Sequence, residues 1–136
     1  MYLVDTNVFL EVLLSGSRKD ECERFLDYIR RGRKKGVVTD FSVHSILVIM
    51  EGVGKRRELR VFLQSLLSYD GLSVYTTTLL DEVDAIDLSY ETNLDLDDAI
   101  QYRVASTLKA QGIVSFDKHF DGLEISRVEP IQILQG

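Results

Sequence analysis

The sequence predicts an α/β fold in which a central parallel β-sheet is covered by helices on both faces. Short apolar runs alternate with amphipathic helical stretches along the 136 residues, and strands that are separated by helices pair in parallel. The composition agrees with one globular domain over residues 1–136, since 45% of the residues are hydrophobic, 28% are charged and only one is proline. No internal repeat or low-complexity linker indicates a domain boundary.

The first half of the chain opens this alternation. The apolar run Tyr2–Val4 predicts a strand that ends in the polar turn 5–7, and apolar residues at helical spacing follow it. A second amphipathic helix closes at Gly32, before a short second strand over Gly36–Thr39. The apolar residues within 43–53 then predict a largely buried helix.

The second half continues the pattern with three helices and three strands. Residues 59–67, 79–90 and 98–110 carry apolar side chains at helical spacing. Apolar runs predict the strands over residues 72–77, 113–115 and 124–128.

The net charge of −6 is distributed unevenly along the chain. Residues 1–68 carry a net charge of +3 and residues 69–136 a net charge of −9. Nine of the 16 basic residues fall in the stretches 30–35 and 55–60. Such clusters are typical of surfaces that contact phosphates, although solvated helix ends and turns have the same composition.

Cysteine content and hydropathy indicate the compartment. Cys22 is the single cysteine and has no partner for an intramolecular disulfide, which favours a reducing environment. The longest apolar run covers residues 46–50, far short of the roughly 18 residues of a membrane span. We therefore expect a cytoplasmic protein without membrane association.

Acidic residues follow or flank the strands at three places. Asp5 ends the first strand, Asp97 and Asp98 open the helix before the fourth, and Asp117 follows the run 113–115. Each acid alone fits a helix cap or a turn. Together, at the sheet edge where α/β proteins bind ligands, they would repel one another unless a cation neutralised them. Oxygen ligands of this kind predict a hard ion, Mg²⁺ or Mn²⁺.

The predicted metal ion and the basic clusters together indicate which reaction the site would catalyse. Ions held by few carboxylates keep positions for water and phosphate oxygens and stabilise charge during phosphoryl transfer. Metal-dependent phosphodiester hydrolysis, with Arg and Lys side chains holding a nucleic-acid backbone, is therefore the hypothesis that accounts for both halves of the charge distribution.

Three segments carry a family resemblance. Val-Asp-Thr-Asn-Val-Phe-Leu at 4–10, Leu-Asp-Asp-Ala at 96–99 and Val-Ser-Phe-Asp-Lys-His-Phe at 114–120 resemble, in order and spacing, the motifs of PIN-domain ribonucleases. The chain length is similar to that of the single-domain VapC-type toxins. The resemblance implies a three-layer sandwich around a parallel sheet of four to five strands. It also implies an Mg²⁺- or Mn²⁺-dependent ribonuclease whose products carry a 5′ phosphate and a 3′ hydroxyl.

The resemblance also implies roles for individual residues. Asp5, Asp98 and Asp117 match the metal-binding acids of the family. The polar positions that line the site, as supporting or phosphate contacts, correspond to Thr6, Asn7 and Ser115. For Asp97 and Asp121 two interpretations stay open, support of the site and simple solvation.

The sequence departs from the family at the second acid, which lies on the helix after the second strand. Counting from Ser42 places Leu47 there, and leucine cannot bind a metal. Glu51, one turn further along, and His44, three residues earlier, are the candidate replacements. Glu51 is also explained as a solvated helix-end acid, and His44 as a packed histidine.

The departure keeps a second function open. The first hypothesis is an active ribonuclease that acts on RNA, forms a homodimer and is the toxin partner of a small antitoxin protein. The second is a degenerate PIN-like module that binds RNA or a protein without cleaving it. A phosphatase or a receiver domain is disfavoured, because Asn7 stands where the phosphatase needs an acid and Asp5 comes too early for a receiver.

Overall fold

The structure, a computed structural model, describes residues 1–136 and contains five strands, seven α-helices and one short 3₁₀ turn. The strands are β1 (Tyr2–Val4), β2 (Gly36–Thr39), β3 (Leu72–Tyr75), β4 (Gly112–Val114) and β5 (Arg127–Val128). The helices are α1 (Thr6–Leu13), α2 (Lys19–Arg30), α3 (Asp40–Gly52), α4 (Arg56–Leu66), α5 (Leu79–Glu91), α6 (Leu96–Thr107) and α7 (Pro130–Gln135). The 3₁₀ turn spans Lys118–Phe120.

The five strands form one sheet in the order β3-β2-β1-β4-β5, and every neighbouring pair is parallel. Tyr2 is aligned with Gly36 on one side and with Gly112 on the other, so the three central strands begin at the same level. Their carboxyl ends therefore also lie at one edge. The predicted parallel sheet of four to five strands is confirmed.

Helices cover both faces of the sheet because the side chains of successive strand residues point to opposite sides. One face packs against α5 and α6 and is formed by Leu3, Val37 and Ile113. The other packs against α1, α2, α3, α4 and α7 and is formed by Val4, Val38 and Val114. This is the predicted three-layer arrangement.

The clearest differences from the sequence prediction are the bounds of two strands and one additional helix. β3 ends at Tyr75 instead of residue 77, and β5 contains only Arg127 and Val128. Helix α7 was not predicted, although Pro130 at its first turn and the capping box between Glu129 and Gln132 are signals for it.

The outer face of α5 is apolar and exposed. The spacing predicted this helix correctly, but Leu79, Val83, Ile86 and Tyr90 all point to solvent and reach 84% exposure at Tyr90. The opposite side of the helix, with Ala85, packs on α6. Exposed apolar patches of this kind are typical of surfaces that bind another protein.

None of the helices is both long and apolar enough to cross a bilayer.

Candidate active site

Asp5 follows β1 at the carboxyl edge of the sheet and occupies the N-cap position of α1, but its side chain makes no capping hydrogen bond. Instead, Oδ2 accepts a hydrogen bond from Ser115 Oγ at 2.6 Å and Oδ1 accepts one from Gln101 Nε2 at 2.8 Å. The residue is 3% exposed. Burial raises the pKa of Asp5, although both hydrogen bonds lower it. The local structure thus fixes this carboxylate in place.

Asp98 enters the site from the first turn of α6. Asp95 caps that helix by accepting a hydrogen bond from the Asp98 backbone N–H at 2.9 Å, which leaves the Asp98 side chain free to point toward the sheet. The residue is 6% exposed, and its Oδ2 has no hydrogen-bond partner. Burial raises the pKa of Asp98 to about 8, with repulsion from Asp117 as the next cause. A cation at Oδ2 would relieve both effects.

Asp97 contributes a second unpartnered carboxylate atom on the same turn. Its Oδ1 is buried without a hydrogen bond. Burial and repulsion from Asp5 raise the pKa of Asp97 as well. The carboxylates at this edge of the sheet therefore carry more negative charge than the surrounding hydrogen bonds stabilise.

Asp117 and His119 come from the segment after β4. The Asp117 backbone N–H donates to Ser115 Oγ at 2.9 Å, and its carboxylate caps the 3₁₀ turn by accepting from the His119 N–H at 2.9 Å. The His119 Nδ1 lies 3.2 Å from Asp117 Oδ1 and 3.9 Å from Asp98 Oδ2. One ligand atom from each of the three residues lies within 4.8 Å of the others.

The predicted polar residues take different places. Ser115 is fully buried and connects the two neighbouring acids, since its hydroxyl donates to Asp5 and accepts from Asp117. Thr6 is buried, and its hydroxyl donates a hydrogen bond to Ser42 Oγ at 2.8 Å. Asn7, by contrast, is exposed at the first turn of α1.

The structure does not bring Glu51 to this cluster. Glu51 lies nine residues after the buried Ser42, which is two and a half helical turns, so it faces the opposite side about 13 Å further along α3. It is exposed and pairs with Arg56 at 2.5 Å. Leu47 packs against the core. Neither of these two residues of α3 thus supplies a carboxylate to the acids.

Two further candidates are located by the structure. His44 lines a shallow depression beside Asp97 and is exposed, so it lies at the margin of the acidic edge. Asp121 pairs with Arg127 at 2.7 Å. The Asp121 carboxylate therefore binds Arg127 and does not support Asp117.

The basic clusters lie apart from the acids. Residues 30–35 connect α2 to β2 and adjoin the amino edge of the sheet, where Lys35 O accepts from the Tyr2 N–H at 2.9 Å. Residues 55–60 follow α3, a helix of 13 residues that starts at the acidic edge and is about 20 Å long. The basic side chain nearest in sequence to the acids is Lys118, which is exposed.

Sequence reasoning missed two residues of the site. Gln101 was not singled out, although it lies one turn after Asp98 and is a buried polar residue between Ile100 and Tyr102. His119 was not assigned a role, although it lies only two residues after Asp117. Helical spacing and proximity to the acids were the available signals.

The donor set fits a divalent cation. Two of its three members are carboxylates, and Asp98 Oδ2 is buried without any partner. Oxygen-rich sets of this kind suit Mg²⁺ or Mn²⁺. The fold and the site together define an α/β protein with an acidic cluster at the carboxyl edge of its sheet whose donor atoms suit a divalent cation.

The comparisons identify the family. The sequence matches the PIN domain family over residues 1–119. The chain therefore belongs to the PIN domain family, and the resemblance inferred from its three motifs is confirmed. No curated protein matches the chain significantly.

Solved structures share the fold at low sequence identity. VapC20 of Mycobacterium tuberculosis, described as a sarcin–ricin loop cleaving toxin, has a TM-score of 0.78 and 16% identity, with coverage of 96% of this chain and 100% of that one. A toxin–antitoxin complex from Klebsiella pneumoniae has a TM-score of 0.71 and 19% identity, with coverage of 96% and 98%. VapBC2 from Rickettsia felis, bound to a DNA fragment from its promoter, has a TM-score of 0.70 and 12% identity, with coverage of 94% and 97%.

Proposed function

We propose that this protein is a metal-dependent ribonuclease that hydrolyses RNA phosphodiester bonds in the cytoplasm. The observation that carries the proposal is the buried Asp98 side chain, whose Oδ2 has no hydrogen-bond partner and which lies next to Asp117. A protein stabilises such an arrangement poorly without a cation. Membership of the PIN domain family and the fold shared with VapC20 support the same reaction.

The residues that would hold Mg²⁺ or Mn²⁺ are Asp5, Asp98 and Asp117. When bound, such an ion lowers the pKa of water and stabilises negative charge on a phosphoryl group. The chain itself fixes the ligands: Ser115 and Gln101 orient Asp5, and Ser115 also holds the backbone of Asp117.

The bond that breaks joins phosphorus to the 3′ oxygen. Water attacks phosphorus in line, one of its protons passes to an acidic side chain of the cluster, and the 3′ oxygen leaves and takes up a proton. The products then carry a 5′ phosphate and a 3′ hydroxyl. Thr6 and Asn7 belong to the first turn of α1, whose N-terminus favours a phosphate by its dipole.

We also propose that the protein is the toxin of a toxin–antitoxin pair and that it forms a homodimer. Two structures with this fold are described as toxin–antitoxin or VapBC assemblies. A second copy of the chain would cover the exposed apolar face of α5, formed by Leu79, Val83, Ile86 and Tyr90.

One observation favours a second candidate function, a binding module without nuclease activity. The family's second acid has no replacement on α3, because Leu47 is apolar and Glu51 pairs with Arg56. A site with fewer ligands binds a cation less tightly, and a protein that only binds RNA or another protein does not need one.

The deciding experiment incubates the purified protein with a mixed set of end-labelled RNAs in Mn²⁺, in Mg²⁺ and in EDTA. We expect cleavage in the metal-containing samples, its loss in EDTA and its loss in Asp98→Asn. Asp87→Asn is the matched control, since Asp87 is an exposed acid on α5 and lies outside the cluster. Absence of both cleavage and Mn²⁺ binding in the wild type would favour the binding module.

A further inference from the structure

The segment after β4 brings an imidazole into the acidic cluster. We propose that His119 is a direct ligand of the divalent cation and that the site consequently prefers Mn²⁺ to Mg²⁺. This inference rests on the proposed function, because it concerns the cation of the same site.

The geometry suits a shared ion. His119 Nδ1 lies 3.2 Å from Asp117 Oδ1 and 3.9 Å from Asp98 Oδ2. Neighbouring ligands around an octahedral ion, each about 2.1 Å from the metal, lie about 3 Å apart. The Nδ1–Oδ1 distance to Asp117 is already close to that spacing, and the distance to Asp98 Oδ2 would have to shorten by about 1 Å.

The backbone holds the imidazole in this position. The Asp117 carboxylate accepts a hydrogen bond from the His119 N–H and so closes the 3₁₀ turn. Phe120, the next residue, is fully buried in the core and anchors the turn. The imidazole itself is exposed, so an ion can reach it from solvent.

Asp98 gives an independent indication of a ligand. Its side chain is nine-tenths buried, and Oδ2 points toward His119 without a hydrogen bond to any group. Buried carboxylate oxygens without a partner are uncommon in proteins, and an ion between Asp98 and His119 accounts for this one.

The position of Glu51 explains why a histidine matters in this chain. With Leu47 on the core and Glu51 paired with Arg56, α3 provides no ligand. An imidazole nitrogen then takes the place of a carboxylate oxygen. Mg²⁺ binds oxygen almost exclusively, whereas Mn²⁺ is a first-row transition ion and also accepts an imidazole nitrogen.

The test measures nitrogen coordination directly. Mn²⁺ is bound to the wild type, and its coupling to ¹⁴N is recorded by electron spin echo envelope modulation, then repeated on protein with ¹⁵N-labelled histidine. The chain contains two histidines, so His119→Gln and His44→Gln assign the signal completely. We expect the coupling in the wild type and in His44→Gln, and its loss in His119→Gln.

Affinity gives a second readout. Titration of each protein with Mn²⁺ and with Mg²⁺ should show that His119→Gln weakens Mn²⁺ binding about tenfold or more and Mg²⁺ binding less than about threefold. His44→Gln should match the wild type with both ions. Circular dichroism and thermal melting check that the variants stay folded, as expected for exposed side chains.

The outcomes separate this inference from the proposed function. If the wild type cleaves RNA with Mn²⁺ but shows no histidine coupling, His119 is not a ligand, and the ribonuclease proposal stands. Coupling that depends on His119 supports the inference even when none of the tested RNAs is cut. If the wild type binds no Mn²⁺, both proposals fail.

Discussion

Ser115 Oγ donates a 2.6 Å hydrogen bond to Asp5 Oδ2, and the two residues are 110 positions apart in the chain. They meet because β1 and β4 are neighbours in the sheet and end at the same level. The same hydroxyl accepts from the Asp117 backbone N–H at 2.9 Å. A single buried serine therefore sets the relative position of two acids that come from opposite ends of the sequence.

Replacing Ser115 by alanine should loosen both acids. The variant loses one hydrogen bond to a buried carboxylate and one from a backbone N–H, so we expect the free energy of unfolding to fall by about 1 to 3 kcal/mol. RNA cleavage should fall about 10- to 100-fold, because a group that orients a metal ligand is lost. Urea denaturation and cleavage rates measure the two effects.

Ser126→Ala is the control for this change. Ser126 is an exposed serine just before β5, and its replacement should alter neither quantity. Unchanged stability and activity in Ser115→Ala would show that Asp5 keeps its position without the hydroxyl.

Replacing Asp98 by asparagine should stabilise the metal-free protein while it abolishes cleavage. Burial raises the pKa of Asp98 to about 8, so the folded state binds a proton that the unfolded state releases near its ordinary pKa of about 4. The metal-free wild type therefore loses stability as the pH rises between these two values. Asparagine removes the charge and its cost.

The measurement is thermal melting in EDTA across that pH range. At about pH 8.5 we expect Asp98→Asn to melt about 3 °C or more above the wild type, and the difference should shrink toward acidic pH. Mn²⁺ should raise the melting temperature of the wild type and not that of the variant. A variant that melts lower than the wild type in EDTA at alkaline pH contradicts the prediction.

An ion-pair network between the start of α2 and the start of α7 should stabilise the fold above acidic pH. The guanidinium groups of Arg18 and Arg127 bind Glu129 at 2.6 and 2.9 Å and hold the pKa of Glu129 below its usual range. A lowered pKa means that this stabilisation is complete above the pKa of the unfolded state and disappears as the pH falls through that of the folded state.

Glu129→Gln tests the network. We expect the variant to lose about 1 to 2 kcal/mol of unfolding free energy at neutral pH, a modest value because water reaches the pair. The difference from the wild type should vanish as the pH is lowered. Glu23→Gln is the comparison, because it removes the exposed ion pair between Lys19 and Glu23 on α2. We expect this variant to leave the unfolding free energy almost unchanged at any pH.

The exposed face of α5 should mediate the homodimer. Val83 lies within the apolar stripe and is half exposed, so Val83→Asp places a charge inside the contact. By light scattering after size exclusion we expect a dimeric wild type and a monomeric variant. Val61→Asp changes a similarly exposed valine on α4 and should stay dimeric. A wild type that is monomeric at all concentrations would contradict the homodimer proposal.

Much of the fold could be predicted from the sequence because local patterns and tertiary packing agree. The strands β1, β2 and β3 are each followed by an α-helix, a pattern that admits few arrangements besides a parallel sheet. The end of β3 was misplaced because Thr77 bonds to Asp40 and Thr78 caps α5, so these β-prone residues serve the connection and not the strand.

Only part of the candidate site could be predicted from the sequence, and the reason is geometric. Asp5 and Asp117 follow strands, and the end of a strand fixes where the next residue lies. The direction of a helical side chain depends on packing, which a single sequence does not reveal. Glu51 consequently looked equivalent to a site residue, while Gln101 and His119, whose positions depend on α6 and the 3₁₀ turn, gave no clear signal.

The origin of the three acids has a consequence for the synthesis of the protein. Asp5 is made well before the other two acids: it can meet Asp98 only once α6 has been made, and Asp117 only once β4 has paired with β1. Pairing between such distant segments is a late event in folding. A nascent chain therefore carries no complete acidic cluster until Asp117 has been made, and if the protein cuts RNA it would stay harmless until then to the message and ribosome that are producing it.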